Sequence, residues 1–402
     1  MKFRYQCLDC GKIIETDEII YTCPVCGGTE KEGEFPKGYL RVLLDEKELS
    51  ELKKKDHVSI YDFFPYVVPD KDVYPVGITP VIRPKRINKS LGLKNMYCKM
   101  DAYLPSGSFK DRASQLIAAQ AIAHGVNRIA LASTGNAGAA MSCAGAAYGL
   151  DIILFVPETA PINKLMQSVL YGATVVPVKG SYDDAFLLSI EYTKNFGGIN
   201  RNTAFNPMTI EGKKSVSIEL FEQLGRKIPD MVYVPVGDGC IISGVYKGFY
   251  DLMKAGLTDR IPQIVCCQSE KSNAISQAFK TGKFTNIEAS TRADSISVDC
   301  PASGRMAVKY LKEYNGKCVE VSEKEILDAQ MQLVHDSGIF VEPASATAFA
   351  ALKKDLPNID KNADICLLLT GIGFKDMAVF DGRVSLPESI ENSREAVIKR
   401  FS

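Results

Sequence analysis

The sequence predicts an α/β protein with two open-sheet domains and a small separate module at the N-terminus. Three observations lead there. At 402 residues the chain is longer than one compact domain needs. From Met96 onward, short apolar runs alternate with amphipathic stretches, the pattern of βαβ units and parallel sheets. Ahead of that alternation stand two cysteine knuckles, Cys7-x-x-Cys10 and Cys23-x-x-Cys26, which belong to neither pattern.

Residues 1–35 read as a zinc-ribbon-like module. Four thiolates at this spacing close a tetrahedral Zn²⁺ site on Cys7, Cys10, Cys23 and Cys26, and such a site leaves no position for substrate, so the metal's role is structural. A redox pair is the alternative reading of either knuckle. Residues 31–75 are polar, with a charged surface helix expected over Asp45–Lys55 and a crossing segment punctuated by Pro65, Pro69 and Pro75.

The body carries strands at Met96–Lys99, Ile129–Ala132, Ile152–Val156, Thr174–Val178, Met231–Pro235, Ile264–Gln268 and Ile365–Leu369. Helices are expected over Asp111–Ala123, Ala137–Tyr148, Asn163–Tyr171, Ser181–Asn195, Ile210–Leu224 and Ser243–Ala255. Four more follow at Ser272–Lys280, Ala307–Glu313, Glu323–Asp336 and Ala344–Lys354.

The chemistry collects at turns that open helices. Lys110 lies in Pro105-Ser106-Gly107-Ser108-Phe109-Lys110-Asp111-Arg112, just before a helix. A lysine whose pKa is lowered in a pocket becomes a nucleophile able to form a Schiff base with a carbonyl cofactor. Taken alone, this turn reads as a surface lysine in a polar loop. In open α/β sheets ligands gather beyond the C-terminal ends of strands. There the chain places Ser133-Thr134-Gly135-Asn136, Val236-Gly237-Asp238-Gly239-Cys240-Ile241, and Thr370-Gly371-Ile372-Gly373. Asn136 offers an amide to a ring substituent, although the same turn would also serve as a plain helix cap. The second turn makes a phosphate cradle of backbone N–H groups at a helix start, which requires the Asp238 side chain to point away from the anion. Thr370 offers a hydroxyl to a heterocyclic nitrogen. Together these pieces fit pyridoxal 5'-phosphate.

The chain resembles threonine synthases, in the fold type II (β-family) group of pyridoxal-phosphate enzymes. The matching stretches are PSGSFKDR around Lys110, ASTGNAGAA around Asn136, LFVPE, YGATVVPVKGSYDDA, NPMTIEGKKS, VPVGDG, GIFVEPASA and LLTGIGFKD, in family order over about residues 75–380. The cysteine ribbon resembles one carried by some threonine synthases. The resemblance implies that Lys110 is the Schiff-base and catalytic lysine and that Asn136 contacts the cofactor's 3-oxygen. It implies likewise that Gly237, Asp238, Gly239, Cys240 and Ile241 hold the cofactor phosphate and that Thr370 faces the pyridine nitrogen. The reaction implied is conversion of O-phospho-L-homoserine and water to L-threonine and phosphate. The alternative is a paralogous lyase or β-replacement enzyme acting on another amino acid, since Asp101–Leu104 departs from the family's usual residues before the lysine. Ser106, Ser133, Thr134 and Lys164 are the candidate substrate contacts. Arg112 and Arg305 join Lys164 as candidate cations for a substrate phosphate, with a structural ion pair in the turn as the alternative role of Arg112.

The implied division is residues 1–35 for the ribbon, 36–100 plus 216–402 for a large cofactor-binding domain, and 101–215 for a small domain carrying Lys110. Lys+Arg and Asp+Glu both total 48, so no basic excess points to nucleic acid or a membrane surface. No apolar stretch is long enough to span a bilayer, and no signal-peptide core opens the chain. With twelve cysteines this suggests the cytoplasm, where thiols stay reduced. The expected partner is a small amino-acid substrate, and the resemblance implies a homodimer.

Overall fold

A computed structural model describes residues 1–380, 385 and 387–402. Its largest sheet is built around Met231–Pro235, which is buried along its whole length. That continuous apolar run suits an interior parallel strand with helices on both faces. Gln263–Ser269 and Asp364–Leu369 flank it. Lys317–Val321 extends the sheet on one side, and Asn95–Met100 then Val81–Ile82 on the other. Val81–Ile82 pairs antiparallel, and the other neighbours pair parallel.

A second, fully parallel sheet runs in the order Thr174–Val178, Asp151–Pro157, Arg128–Ala132, Ile199–Asn200. Alternation sends Ile129 and Leu131 into the main core, while Ala130 and Ala132 meet Phe155 and Val178 on the other face. A small antiparallel sheet joins Ile13–Ile14, Phe3–Cys7 and Leu40–Leu44. This N-terminal module rests on the body. The Tyr21 ring stacks on Phe205 with centroids 4.8 Å apart, and its hydroxyl accepts the Asn200 N–H at 2.9 Å.

Each expected strand forms, and the helices expected in the body form with ends displaced by at most three residues, while the charged helix expected over Asp45–Lys55 is an α-helix, Glu46–Glu51, continued by a 3-10 turn, Leu52–Lys54. Leu40–Leu44 and Lys317–Val321 are among the strands beyond the expectation. The second is an edge strand carrying Lys317 and Glu320, half-buried over four of its five residues, so it lacks a core strand's apolar signature. The stretch Ile210–Leu224 is two helices, Met208–Lys213 and Ser215–Gln223. At the break the Ser215 hydroxyl donates to the Gly212 carbonyl at 2.8 Å. No helix among the described residues is long and apolar enough to cross a membrane.

Glycine lets three helices approach closely enough to bring their ends together. A Cβ on Gly212 would run into the Arg112 carbonyl, and one on Gly244 would lie 2.6 Å from the Lys213 Cβ. Helix Asp111–Ala123, which follows Lys110, therefore packs on Met208–Lys213, and that helix packs on Cys240–Lys254.

Candidate active site

Lys110 is the residue before helix Asp111–Ala123, and its turn is fastened to the segment after strand Asp364–Leu369. The Phe109 N–H donates to the Thr370 carbonyl at 2.7 Å, and the Ile372 N–H donates to the Gly107 carbonyl at 3.0 Å. Gly107 takes φ +81°, a left-handed conformation that glycine adopts without penalty. Thr370 is itself pinned, its N–H donating to the Ser345 hydroxyl at 2.8 Å.

Asn136 opens helix Asn136–Tyr148. Its amide donates to the two Glu342 oxygens at 3.1 and 3.3 Å and to the Ser295 hydroxyl at 3.2 Å. Glu342 is 4% exposed, and its N–H donates to the Gly371 carbonyl at 3.0 Å. The turn of Lys110, Thr370, Asn136 and Glu342 thus forms one connected wall. Burial pushes the Lys110 amine below the ordinary lysine range, with Glu342 and Asp238 opposing the shift and Arg201 adding to it. Burial raises the Glu342 carboxyl, while Lys110 and the Asn136 amide pull it back.

Gly237 to Ile241 form the turn from Met231–Pro235 into helix Cys240–Lys254. The Asp238 side chain turns aside, its Oδ1 accepting the Ala302 N–H at 3.3 Å. Burial raises its carboxyl and pushes the Cys240 thiol up to about 12, so that thiol is neutral. Gly239 takes φ +81°. A Cβ there would lie 3.0 Å from the Ser303 carbonyl oxygen, and one on Gly237 would lie 2.8 Å from the Ile296 Cα. Among the described residues no side chain caps this helix, so its first N–H groups are left open at the turn.

The candidate substrate contacts divide. Lys164 borders a cleft of about 320 Å³ whose walls include Gly135, Asn136, Ser295, Glu342 and Lys375, and its amine pairs with Asp294 at 2.9 Å. The Ser133 hydroxyl accepts the Gly135 and Gly138 N–H groups at 3.3 and 3.0 Å, which is the capping role its turn also allowed. Ser106 is buried, its N–H donating to Asp111 Oδ2 at 2.8 Å. Thr134 is half-buried beside Asn136. The other two candidate phosphate cations are engaged away from the cleft. Arg112 is enclosed by Asp101 and Glu219, and Arg305 reaches Glu34 at 3.5 Å and the Phe35 carbonyl at 3.1 Å.

Sequence reasoning missed Glu342, Arg201 and Lys213. Glu342 lies inside GIFVEPASA and Lys213 inside NPMTIEGKKS. A buried charge has no periodic signature, however, and nothing in the sequence separates Lys213 from Lys214. At the other end of the chain the Cys7, Cys10, Cys23 and Cys26 sulfurs lie within 4.8 Å of one another.

The donor set suits pyridoxal phosphate. It offers an amine for the aldehyde, an amide and a hydroxyl for the ring, and an uncapped helix start, reached through glycines, for the phosphate. With a mostly parallel large sheet and a fully parallel second one, this site defines a fold type II pyridoxal-phosphate enzyme. The chain belongs to the family described as pyridoxal-phosphate dependent enzyme, which matches residues 74–371. It is similar to the threonine synthase of Methanocaldococcus jannaschii, 34% identical over 389 residues and 92% of each chain. It is similar also to that of Methanosarcina acetivorans, 31% identical over 407 residues and 98% of each. Among solved structures, the processed threonine deaminase isoform 2 of Solanum lycopersicum shares the fold at TM-score 0.68 and 20% identity, over 92% of this chain and 97% of that one.

One substitution tests how the wall is held. A Cβ on Gly371 would collide with the Glu342 carboxylate. Gly371→Ala is expected to displace Thr370 and the Lys110 turn and to lower kcat/KM about 100-fold in steady-state assays, since a displacement near 1 Å costs that much.

Proposed function

We infer that the protein is a pyridoxal-phosphate-dependent threonine synthase that converts O-phospho-L-homoserine and water to L-threonine and phosphate. The carrying observation is similarity to threonine synthases along nearly the whole chain, with the cysteine ribbon included in the longest alignment.

When bound, pyridoxal phosphate draws electron density from the carbons of the attached amino acid and so acidifies them. The chain's residues do the rest. Lys110 anchors the cofactor and, once free, takes and returns protons at Cα and Cβ of the substrate. Burial keeps its amine unprotonated at a lower pH than an ordinary lysine, as a base requires. Phosphate departs from Cγ, which takes up a proton to become the methyl group, and water adds at Cβ. Asn136, steadied by Glu342 and Ser295, presents its amide to the ring oxygen, and Thr370 presents its hydroxyl to the ring nitrogen. The first turn of helix Cys240–Lys254 receives the cofactor phosphate on backbone N–H groups. Lys164 and the cleft wall meet the substrate.

Three segments divide the labour. Residues 101–215 carry Lys110 and Asn136, the flanking 36–100 and 216–402 carry the phosphate turn and Thr370, and residues 1–35 form the ribbon. The protein works as a cytoplasmic homodimer.

With cofactor present, purified protein is expected to release threonine and phosphate in equal amounts from O-phospho-L-homoserine. Ammonia and a 2-oxo acid from serine, threonine or diaminopropionate, with no phosphate from O-phosphohomoserine, would reassign it to the related lyases.

The ribbon binds one structural Zn²⁺. Four sulfurs this close match a tetrahedron with Zn–S near 2.3 Å. Elemental analysis of Cys23→Ser is expected to find the zinc lost and limited proteolysis to find the first 35 residues opened. Activity should fall less than about tenfold, because a closed site gives the metal no part in the chemistry.

A further inference from the structure

Two cations lie buried beside the phosphate turn without a counter-ion. Lys213 is 0% exposed and Arg201 1%. Among the described residues the Lys213 amine has no hydrogen-bond partner, nor do Arg201 Nε and Nη2. Arg201 Nη1 donates to the Thr203 hydroxyl at 2.8 Å, and no carboxylate among the described residues forms an ion pair with either side chain. The carboxylates that act on them are committed elsewhere. Asp238 accepts from Ala302, and Asp111 accepts from Tyr74 and from the Ser106 N–H.

Lys213 packs against helix Cys240–Lys254, where a Cβ on Gly244 would lie 2.6 Å from its own Cβ, and both cations lie within electrostatic reach of that helix's first residue. The groups that perturb Lys213 are Cys240, Arg201, Lys110 and Asp238, after burial itself. Those that perturb Arg201 are Tyr182, Cys240, Tyr74 and Asp111. Cys240, common to both, is the first residue of the uncapped helix. Arg201 is also held in place. Ala204, three residues on, sits at φ +64°. Asn206 bridges to the Asn200 carbonyl at 3.0 Å and to Gln120 at 3.1 Å, and Asn202 Oδ1 accepts the Ala132 N–H at 2.7 Å. Strain of this kind persists where the surrounding structure over-determines it.

An uncompensated buried cation is costly, and a pair of them more so. The arrangement is stable when an anion completes it. Two cations and a fan of backbone N–H groups suit a compact dianion with several acceptor oxygens.

We propose that Arg201 and Lys213 form a buried clamp for a phosphate monoester dianion at the start of helix Cys240–Lys254. Two molecules of the assigned reaction carry that group, the cofactor and the phosphorylated substrate. The clamp rests on the family assignment for the first and on the proposed function for the second. The arms of the test separate them.

The cofactor-stripped full chain is titrated with inorganic phosphate and followed by its melting temperature. Wild type is expected to melt higher as phosphate is added. Lys213→Met and Arg201→Gln should each weaken phosphate binding at least about tenfold, and Lys213→Arg should restore most of it. Without phosphate, Lys213→Met should melt no lower than wild type, because it removes an unpaired buried charge. Affinities for pyridoxal phosphate and for pyridoxal then identify the source. A loss confined to the phosphorylated form assigns the clamp to the cofactor. Unchanged cofactor affinity, with weaker inhibition by product phosphate and a raised KM for O-phospho-L-homoserine, assigns it to the substrate. If Lys213→Met does not fold, Arg201→Gln carries the same measurements. Phosphate affinity and cofactor affinity both unchanged in the variants would overturn the clamp, whichever amino acid the enzyme uses.

Discussion

Lys110→Ala is expected to reduce threonine formation at least about 10³-fold, because it removes both the covalent anchor and the proton carrier in one substitution. The absorbance band of the lysine-bound cofactor should vanish, while the melting temperature stays near the wild-type value or rises, since the amine is buried at a cost to its charged form. Two other lysines compete for the role, and they differ in what holds them. The Lys375 amine donates to Gln167 Oε1 at 2.6 Å, and Lys213 is closed off from solvent. Lys110 alone of the three lies in the turn bonded to Thr370. Lys375→Ala should therefore keep the absorbance band. A band that survives Lys110→Ala and disappears with Lys375→Ala would move the anchor.

Much of the site is legible in the amino-acid sequence because its pieces are turns. A glycine at positive φ, a hydroxyl beside it and a helix start are local chemistry, written within a few consecutive residues, as at Gly107 and Gly239. The alternation of strand and helix is legible for the same reason, and so Met231–Pro235 and Asp111–Ala123 appear with the expected bounds. Partnership across the chain is not legible in this way. Arg112 reads by position in PSGSFKDR as either a phosphate cation or an ion-pair partner, and its partners Asp101 and Glu219 appear only in the structure. Asp101, at the start of the stretch that departs from family usage, pairs with it out of the site. The converse holds for Glu342, whose carboxylate reaches Asn136 from 206 residues away. Proximity set by the tertiary fold decides these roles, and neither periodicity nor local motif records it.

The other large effect concerns that core pairing. Glu219 closes two buried cations at once. Its carboxylate accepts from Arg112 Nη2 at 2.9 Å and from the Lys99 amine, and it also takes the Thr79 N–H at 2.6 Å. Arg112 completes its fork on Asp101, with Nε at 2.5 Å and Nη2 at 2.9 Å. Glu219→Ala would leave Lys99 and part of Arg112 buried and unpaired, at a cost of about 3–5 kcal/mol. Urea unfolding followed by far-UV circular dichroism is expected to report that loss, while KM and the cofactor band of the folded enzyme remain those of wild type. A loss below about 1 kcal/mol would mean the cations find water or other partners when the carboxylate goes. The contrast with Arg201 and Lys213 is then physical. Where a buried cation has its carboxylate, as Arg112 and Lys99 do, removing the acid costs stability and spares ligand binding. Where it has none, removing the cation spares stability and costs ligand binding. The same measurement made on both clusters sorts the charges that hold the fold from those kept open for a ligand.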